Sequence, residues 1–211
     1  LNTPKPLLRV NDSCLLDYLL ERIAATGIEE VFINAHHLAS RLQAHVGDGR
    51  TWGLSVRWFL EETLLGTGGA LLNMLPAIGD SSCMVLSSDI WSDYPLERLV
   101  RLDDISGMHL MMVPNPPFHP QGDFSFDPPD STHGRLQDRI LHPSYNYGGY
   151  AVVNPDLIGR QQGVEFSLRR LMTMALKEKN CTGELWRGGW FNVGTREELD
   201  RLRHSLAAER P

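Results

Sequence analysis

Short apolar runs alternate with amphipathic helical stretches through the first half of the chain, and this alternation constrains the fold more than any other feature. Asn11-Asp12-Ser13 precedes Leu15, Leu16, Leu19, Leu20 and Ile23, apolar at helical spacing, and Gly27 closes the stretch. That pattern reads as an N-cap, an amphipathic helix and a C-terminal glycine. Val31-Phe32-Ile33 is a short buried strand, and a helix from about Leu38 to Val46 ends at Gly47. Leu54 to Leu60 alternates with Val56, Trp58 and Leu60 on one face. Another helix begins near Gly69 and runs to Pro76, and Cys83-Met84-Val85-Leu86 is apolar enough for burial on both faces. Strands alternating with helices build βαβ units around a largely parallel sheet.

The second half changes texture. Strand-like pieces at Met108–Val113, Asp123–Phe126 and Gly149–Val153 are separated by loops rich in Pro, Gly and Asp, with helices at about Leu168–Lys179 and Glu197–Ala208. These read as a mixed-sheet extension of the same domain, with hairpins forming one wall of a pocket. Pro114 to Pro120 and Pro128 to Gly134 read as exposed loops. The fold expected is α/β: a Rossmann-like, mostly parallel mixed sheet flanked by helices, with a β-hairpin extension, one domain across the 211 residues.

Composition narrows the function classes. An apolar fraction of 42% with 22% charged residues fits a globular, soluble chain. Twenty Lys and Arg against 26 Asp and Glu leave a net charge of −6, which argues against nucleic-acid binding through a basic surface. No apolar stretch approaches a membrane helix. Cys14, Cys83 and Cys181 lie far apart without a C-x-x-C pair, so neither a disulfide framework nor a zinc site is expected, and a reducing cytoplasm suits them. Cys14 and Cys83 read as buried small hydrophobes. His36-His37 with His45 lacks zinc spacing and reads as surface.

Four features carry candidate chemistry. Ligands of open parallel sheets bind beyond the carboxyl ends of strands, and the Cys83–Leu86 strand delivers Ser87-Ser88-Asp89 to that edge. Asp89 is either a cap for the next turn or a metal ligand. Lys5 lies between Pro4 and Pro6, which favour an extended, stiff backbone presenting a cation to phosphate, unless it is simply a surface lysine. Leu65-Gly66-Thr67-Gly68-Gly69 opens a helix, where glycines permit close approach and the N-terminus favours anions, or where they simply make a tight turn. In Trp190-Phe191-Asn192-Val193-Gly194-Thr195, Thr195 and Glu198 form a capping box. If Phe191 and Val193 face the core, alternation turns Asn192 the other way.

These features, in this order, resemble the sugar-1-phosphate nucleotidyltransferase family along essentially the whole chain. Trp91-Ser92-Asp93-Tyr94, Gly122-Asp123-Phe124 and Phe166-Ser167-Leu168 are similar to its short bacterial N-acetylmuramate-1-phosphate uridylyltransferase branch. The resemblance implies the family's nucleotidyltransferase (GT-A-like) fold and transfer of a nucleoside monophosphate from a nucleoside triphosphate to a sugar-1-phosphate, releasing pyrophosphate. UTP with N-acetylmuramate-1-phosphate is the implied pair. Mannose-1-phosphate guanylyl transfer and a non-catalytic nucleotide-sugar-binding relative are the alternatives. By likeness, Mg²⁺ is held by Asp89 and Asn192, and Lys5 holds phosphate. Glu62, Gly66, Thr67 and Gly68 border the nucleotide, while Ser87, Asp123, Tyr147 and Glu165 line the sugar side. The implied setting is cytoplasmic, with no membrane and no nucleic acid, as a monomer or small homo-oligomer.

Two positions depart from the branch: Asn192 stands where Asp is usual, removing one negative charge, and Ser87-Ser88 replaces Asn-Gly before Asp89. The family also opens with a strand and a Gly-rich loop ending in Arg before the Pro-Lys-Pro segment, whereas this chain starts at Leu1. The expectation is that this strand and loop lie outside the 211 residues, and that these residues alone are inactive or unstable.

Overall fold

The structure, a computed structural model, describes residues 3–102, 105–139 and 143–208. In chain order the strands and helices are β1 (Arg9–Val10), β2 (Ser13–Cys14), α1 (Leu15–Ala25), β3 (Glu30–Ala35), α2 (Ala39–Val46), β4 (Ser55–Leu60), α3 (Gly66–Ile78), β5 (Cys83–Leu86), β6 (Ile90–Ser92) and α4 (Glu97–Val100). Then follow β7 (Met108–Val113), β8 (Phe124–Asp127), β9 (His133–Asp138), β10 (Asn146–Val153), α5 (Pro155–Gly159), α6 (Leu168–Lys177), β11 (Cys181–Leu185), β12 (Trp190–Asn192) and α7 (Arg196–Ala208). The chain divides into two compact units, one holding residues up to Thr63 with Ser87–Leu96 and the stretch from Gly189, the other holding Leu64–Leu86 and Glu97–Gly188.

In the first unit, α1 buries Leu15, Leu16, Leu19, Leu20 and Ile23, the apolar stripe seen in the sequence. Its cap differs from expectation. Asn11 takes a positive φ of 57° between β1 and β2, so Asn11 to Ser13 makes a hairpin and Cys14 becomes the N-cap. The Cys14 amide donates to Asp17 Oδ2 at 2.8 Å, closing a capping box. β3 and β4 pair in parallel, as a βαβ unit requires. Val56 is buried, but Leu60, expected on the same inward face, is 54% exposed at the strand's end. Val10, Leu15, Val193, Leu199 and Leu202 form a buried cluster against which Leu8, Tyr18, Trp91 and Phe191 pack, so α1 and α7 share one core.

The second unit is built on a six-stranded sheet in the order β5-β10-β7-β11-β9-β8. It is mixed and helix-flanked, but the expected predominance of parallel pairing does not hold. Within this sheet only β7 with β11 is parallel, and the other ladders are antiparallel. The second half of the chain returns through hairpins and reversals, which reverse strand direction, whereas a parallel crossover needs a longer connection. β5, expected to be buried on both faces, is half-buried at every position because it is an edge strand here. The helix α3 starts at Gly66, earlier than its periodicity suggests, and carries Pro76 inside its last turn. Strands β9 and β11 escape a reading by hydrophobic pattern because each has a glycine where they pair, Gly134 against Gly183. A side chain at Gly183 would stand 2.8 Å from Leu136 Cδ1 and 3.0 Å from the Leu110 carbonyl.

Every residue of β7 is buried, including His109 at 3% exposure. His109 Nδ1 lies 2.9 Å from Thr182 Oγ1, and the His133 ring is 5.9 Å away. Burial, reinforced by His133 and opposed by Glu184, lowers the His109 pKa from 6.5 to about 4. Between those values the unfolded chain binds a proton that the folded chain refuses. The contribution is therefore complete above pH 6.5 and is lost as the pH falls toward 4. The expected size is about 3 kcal/mol. Urea midpoints from pH 7 to pH 4.5 should fall less steeply in His109→Gln than in the unsubstituted protein, and parallel profiles would exclude His109 as the source.

Candidate active site

In the first unit, Ser87-Ser88-Asp89 turns the chain from β5 into β6, with the Ile90 amide donating to the Ser87 carbonyl at 3.2 Å. β6 pairs antiparallel with β12, placing Phe191 opposite Trp91 and Asn192 opposite Ile90. One step on, the Val193 amide donates to the Asp89 carbonyl at 2.8 Å. Asn192 is thus the residue next to the one bonded to Asp89, although 103 positions of sequence separate the two (192 − 89). Val193 is fully buried and Phe191 packs on the same core, with its ring edge-on to Trp91 at 5.9 Å. The alternation expected for Asn192 is therefore satisfied on its flanks.

The frame around this pair is tied down at several points. The Arg22 guanidinium, on α1, donates to the Ser92 and Tyr94 carbonyls. Ser92 Oγ donates to the Gly189 carbonyl at 2.7 Å, and the Asp93 amide donates to the same oxygen at 3.2 Å. Arg22 and Gly189 had no signal in the sequence beyond helix-face charge and turn propensity. Only the folded chain shows that they brace β6, the strand that follows Asp89.

Lys5 departs from its expected extended backbone. Pro4 is extended, with φ −56° and ψ 139°, but Lys5–Leu7 is a 3₁₀ turn closed by the Leu8 amide on the Lys5 carbonyl at 3.0 Å. Pro6 suits the first turn of a helix because its missing N–H needs no partner there. From this turn Lys5 reaches Asp89. Its Nζ stands 4.0 Å from Asp89 Oδ2, with the two side chains 47% and 36% exposed. A pair so open and long contributes under about 1 kcal/mol to stability. Ser87 is half-buried, and Glu62 is exposed beyond β4.

In the second unit, the glycines of α3 are explained by packing against the chain itself. The Phe166 amide donates to the Leu65 carbonyl at 3.0 Å, and the Gly69 amide to the Phe166 carbonyl at 3.1 Å. A side chain at Gly66 would lie 2.7 Å from the Phe166 carbonyl, one at Gly68 2.4 Å from the Phe166 ring, and one at Gly69 2.2 Å from the Val164 carbonyl. Gly66 also has φ +71°. These contacts bring Glu165, which is exposed, beside the glycine turn, with Thr67 exposed on the helix start. One helix-terminal amide, that of Gly69, is already spent on Phe166.

Asp123 and Tyr147 are also brought together. Asp123 Oδ2 accepts the Tyr147 amide at 2.9 Å, while Oδ1 accepts from Arg169 Nη1 at 2.9 Å and lies 3.5 Å from His119 Nε2. The Arg169 guanidinium lies over the Phe124 ring at 4.5 Å. Asp123 therefore anchors the start of β10 to α6. The residue Tyr147 is half-buried, but its hydroxyl is enclosed and has no hydrogen-bond partner among the described residues. Burial pushes the phenol up from its usual range, with Tyr150 adding to the effect, so the group stays neutral.

The first unit thus gathers an acidic side chain at a turn, a lysine 4.0 Å from it and an asparagine on the paired strand. The sequence profile described as nucleotidyl transferase matches residues 1–116, and the chain belongs to that family. It is 28% identical over 205 residues to the N-acetylmuramate alpha-1-phosphate uridylyltransferase of Neisseria meningitidis, covering 92% of this chain and 85% of that one. It is 31% identical over 212 residues to the mannose-1-phosphate guanylyltransferase of Mycobacterium tuberculosis, covering 95% of this chain and 58% of that one. The crystal structure of a UDP-glucose pyrophosphorylase complexed with UDP-glucose shares the fold, with a TM-score of 0.78 at 15% identity over 98% of this chain and 91% of the other. No described helix is long and apolar enough to cross a membrane.

Proposed function

We propose that the protein joins a nucleoside triphosphate to a sugar-1-phosphate, releasing pyrophosphate, and that UTP and N-acetylmuramate-1-phosphate are its substrates. The observation that carries the reading is the approach of Lys5 to Asp89 at the turn into β6, with Asn192 on the paired strand β12 beside the residue bonded to Asp89. In this reaction a sugar phosphate oxygen forms a bond to the α-phosphorus as the bond to the β-phosphate oxygen breaks. The attacking oxygen is already anionic, so no general base is required, and catalysis reduces to positioning and charge neutralisation. Lys5 supplies a point cation to phosphate. The ion pair with Asp89 is long and open, so the ammonium can exchange its partner at little cost.

A carboxylate and an amide carbonyl are hard oxygen donors, the set that suits Mg²⁺, which binds through one or two protein groups and keeps waters and phosphate oxygens for the rest. Asp89 and Asn192 would hold the ion, and what it supplies is neutralisation of phosphate charge. By likeness to the family, Glu62, Gly66, Thr67 and Gly68 are assigned to the nucleotide. Ser87, Asp123, Tyr147 and Glu165 are assigned to the sugar. Likeness to the Neisseria uridylyltransferase, extending over most of both chains, supports uridine and N-acetylmuramate. The higher identity to the Mycobacterium guanylyltransferase favours GTP and mannose-1-phosphate as the second reading.

Pyrophosphate release by the full-length protein with Mg²⁺ tests this directly. Each common nucleoside triphosphate is paired with N-acetylmuramate-1-phosphate, mannose-1-phosphate and glucose-1-phosphate. The expected result is turnover with UTP and N-acetylmuramate-1-phosphate at least tenfold above every other pair. Dominant turnover with GTP and mannose-1-phosphate would install the second reading. Silence in all pairs from folded protein would leave a non-catalytic nucleotide-sugar-binding relative.

A further inference from the structure

We infer that Cys14, Asp17 and His45 form a binding site for one zinc-class divalent cation, seated at the start of α1 and closed by α2. One ligand atom from each residue lies within 4.8 Å of the other two. Cys14 Sγ is 3.5 Å from His45 Nε2, and the same Nε2 is 2.6 Å from Asp17 Oδ1. Sulfur, imidazole nitrogen and carboxylate oxygen are the three ligand types zinc takes, at about 2.3, 2.0 and 2.1 Å. Tetrahedral angles at those bond lengths put sulfur and nitrogen about 3.5 Å apart, the separation already present. They put nitrogen and oxygen about 3.3 Å apart, so the His45 ring must withdraw from Asp17 by less than about 1 Å.

The same geometry disfavours the other chemistry open to a Cys-His-Asp set. In a nucleophilic relay the acid holds one ring nitrogen and the nucleophile faces the other. Here both Sγ and Oδ1 face Nε2, so the ring cannot pass a proton from one nitrogen to the other. Three donors converging on one point is the arrangement of a cation site.

Local structure fixes two of the three ligands. Cys14 is 4% exposed and is the helix N-cap, and Asp17 Oδ2 is held by the Cys14 amide at 2.8 Å, leaving Oδ1 to face inward. His45 is the open side, with 38% of its side chain exposed against 16% for Asp17. An ion would enter past His45, and water would complete the fourth position. Bound there, it would tie the start of α1 to α2 across the segment that contains β3. A bound ion takes the thiol as thiolate and displaces its proton, so binding strengthens as pH rises.

Titrating the full-length, chelator-treated protein with cobalt(II) alone is the test. Expected is a near-ultraviolet thiolate-to-cobalt band with visible absorption of tetrahedral intensity, saturating at one equivalent and erased by one equivalent of zinc. Cys14→Ser should lose the band while folding normally, because serine is itself a favoured N-cap. His45→Gln should weaken cobalt binding at least about tenfold. Absence of the band overturns the site, as does a band that persists in Cys14→Ser and so belongs to another cysteine. Should Cys14→Ser fail to fold, an unchanged cobalt affinity in His45→Gln overturns it.

Discussion

Asp89→Ala is expected to lower pyrophosphate release by the full-length protein about a thousandfold or more, while leaving its unfolding free energy in urea within about 0.5 kcal/mol of the original. The two halves of that expectation come from the same geometry. Asp89 holds its place through its backbone, with its carbonyl accepting from the Val193 amide at 2.8 Å, and that bond survives loss of the carboxylate. The carboxylate itself makes an ion pair with Lys5 that is 4.0 Å long and open to solvent, so folding loses little without it. In catalysis the same carboxylate is the charged member of the proposed cation-binding pair, and no neighbouring acid in the described β6–β12 ladder replaces it. Retention of activity within tenfold would remove Asp89 from the machinery. Asn192→Asp is the companion test. Restoring the charge should lower the Mg²⁺ concentration needed for half-maximal rate several-fold, and an unchanged Mg²⁺ dependence would end the role given to Asn192.

Gly69→Ala is expected to cost about 2–3 kcal/mol and to lower the thermal midpoint by about 5–10 °C. Alanine is worth about 1 kcal/mol more than glycine in a helix interior, so propensity alone predicts stabilisation. Geometry decides the sign. The new methyl would lie 2.2 Å from the Val164 carbonyl and 3.0 Å from Leu65 Cβ. The Val164 oxygen belongs to backbone anchored on both sides of Leu65-to-Gly69 by the Phe166 bonds. Relief therefore requires moving the Val164–Phe166 segment away from α3 and weakening those bonds. Thr67→Ala, at an exposed position in the same helix turn, should change stability by less than about 0.5 kcal/mol. Equal effects at the two positions would refute the packing account of the glycines.

The glycine turn also marks a boundary of what a sequence can say. Its glycines permit close approach to the helix start, and in the structure the chain's own Val164–Phe166 segment makes that approach. The partner cannot be read from the glycines, because a ligand phosphate and the chain's own Val164–Phe166 segment make the same demand for missing side chains. A similar limit applies to the sheet. β7 is legible from its unbroken apolar run, while β9 and β11 pair through Gly134 and Gly183 and carry no alternating signature. Strand direction is not legible in the sequence, because periodicity reports burial and not polarity of pairing.

The sequence by itself determined the α/β class, the stripe that buries α1, and the motifs at Lys5, Asp89 and Asn192 that identify the family. Those are local patterns, or local patterns in a fixed order, and local sterics and burial dictate them. Only the tertiary structure decided that Lys5 reaches Asp89 from a 3₁₀ turn, that Arg22 braces the strand beyond Asp89, and that His45 meets Cys14 and Asp17. The last case is the clearest. Cys14 reads as a small hydrophobe and His45 as surface, and Asp17 carries no signal that would join it to them. Their convergence depends on how α2 packs beside the start of α1, a contact between residues 31 apart in the chain, and packing of that kind is set by the summed fit of the core and not by any residue's neighbours in sequence.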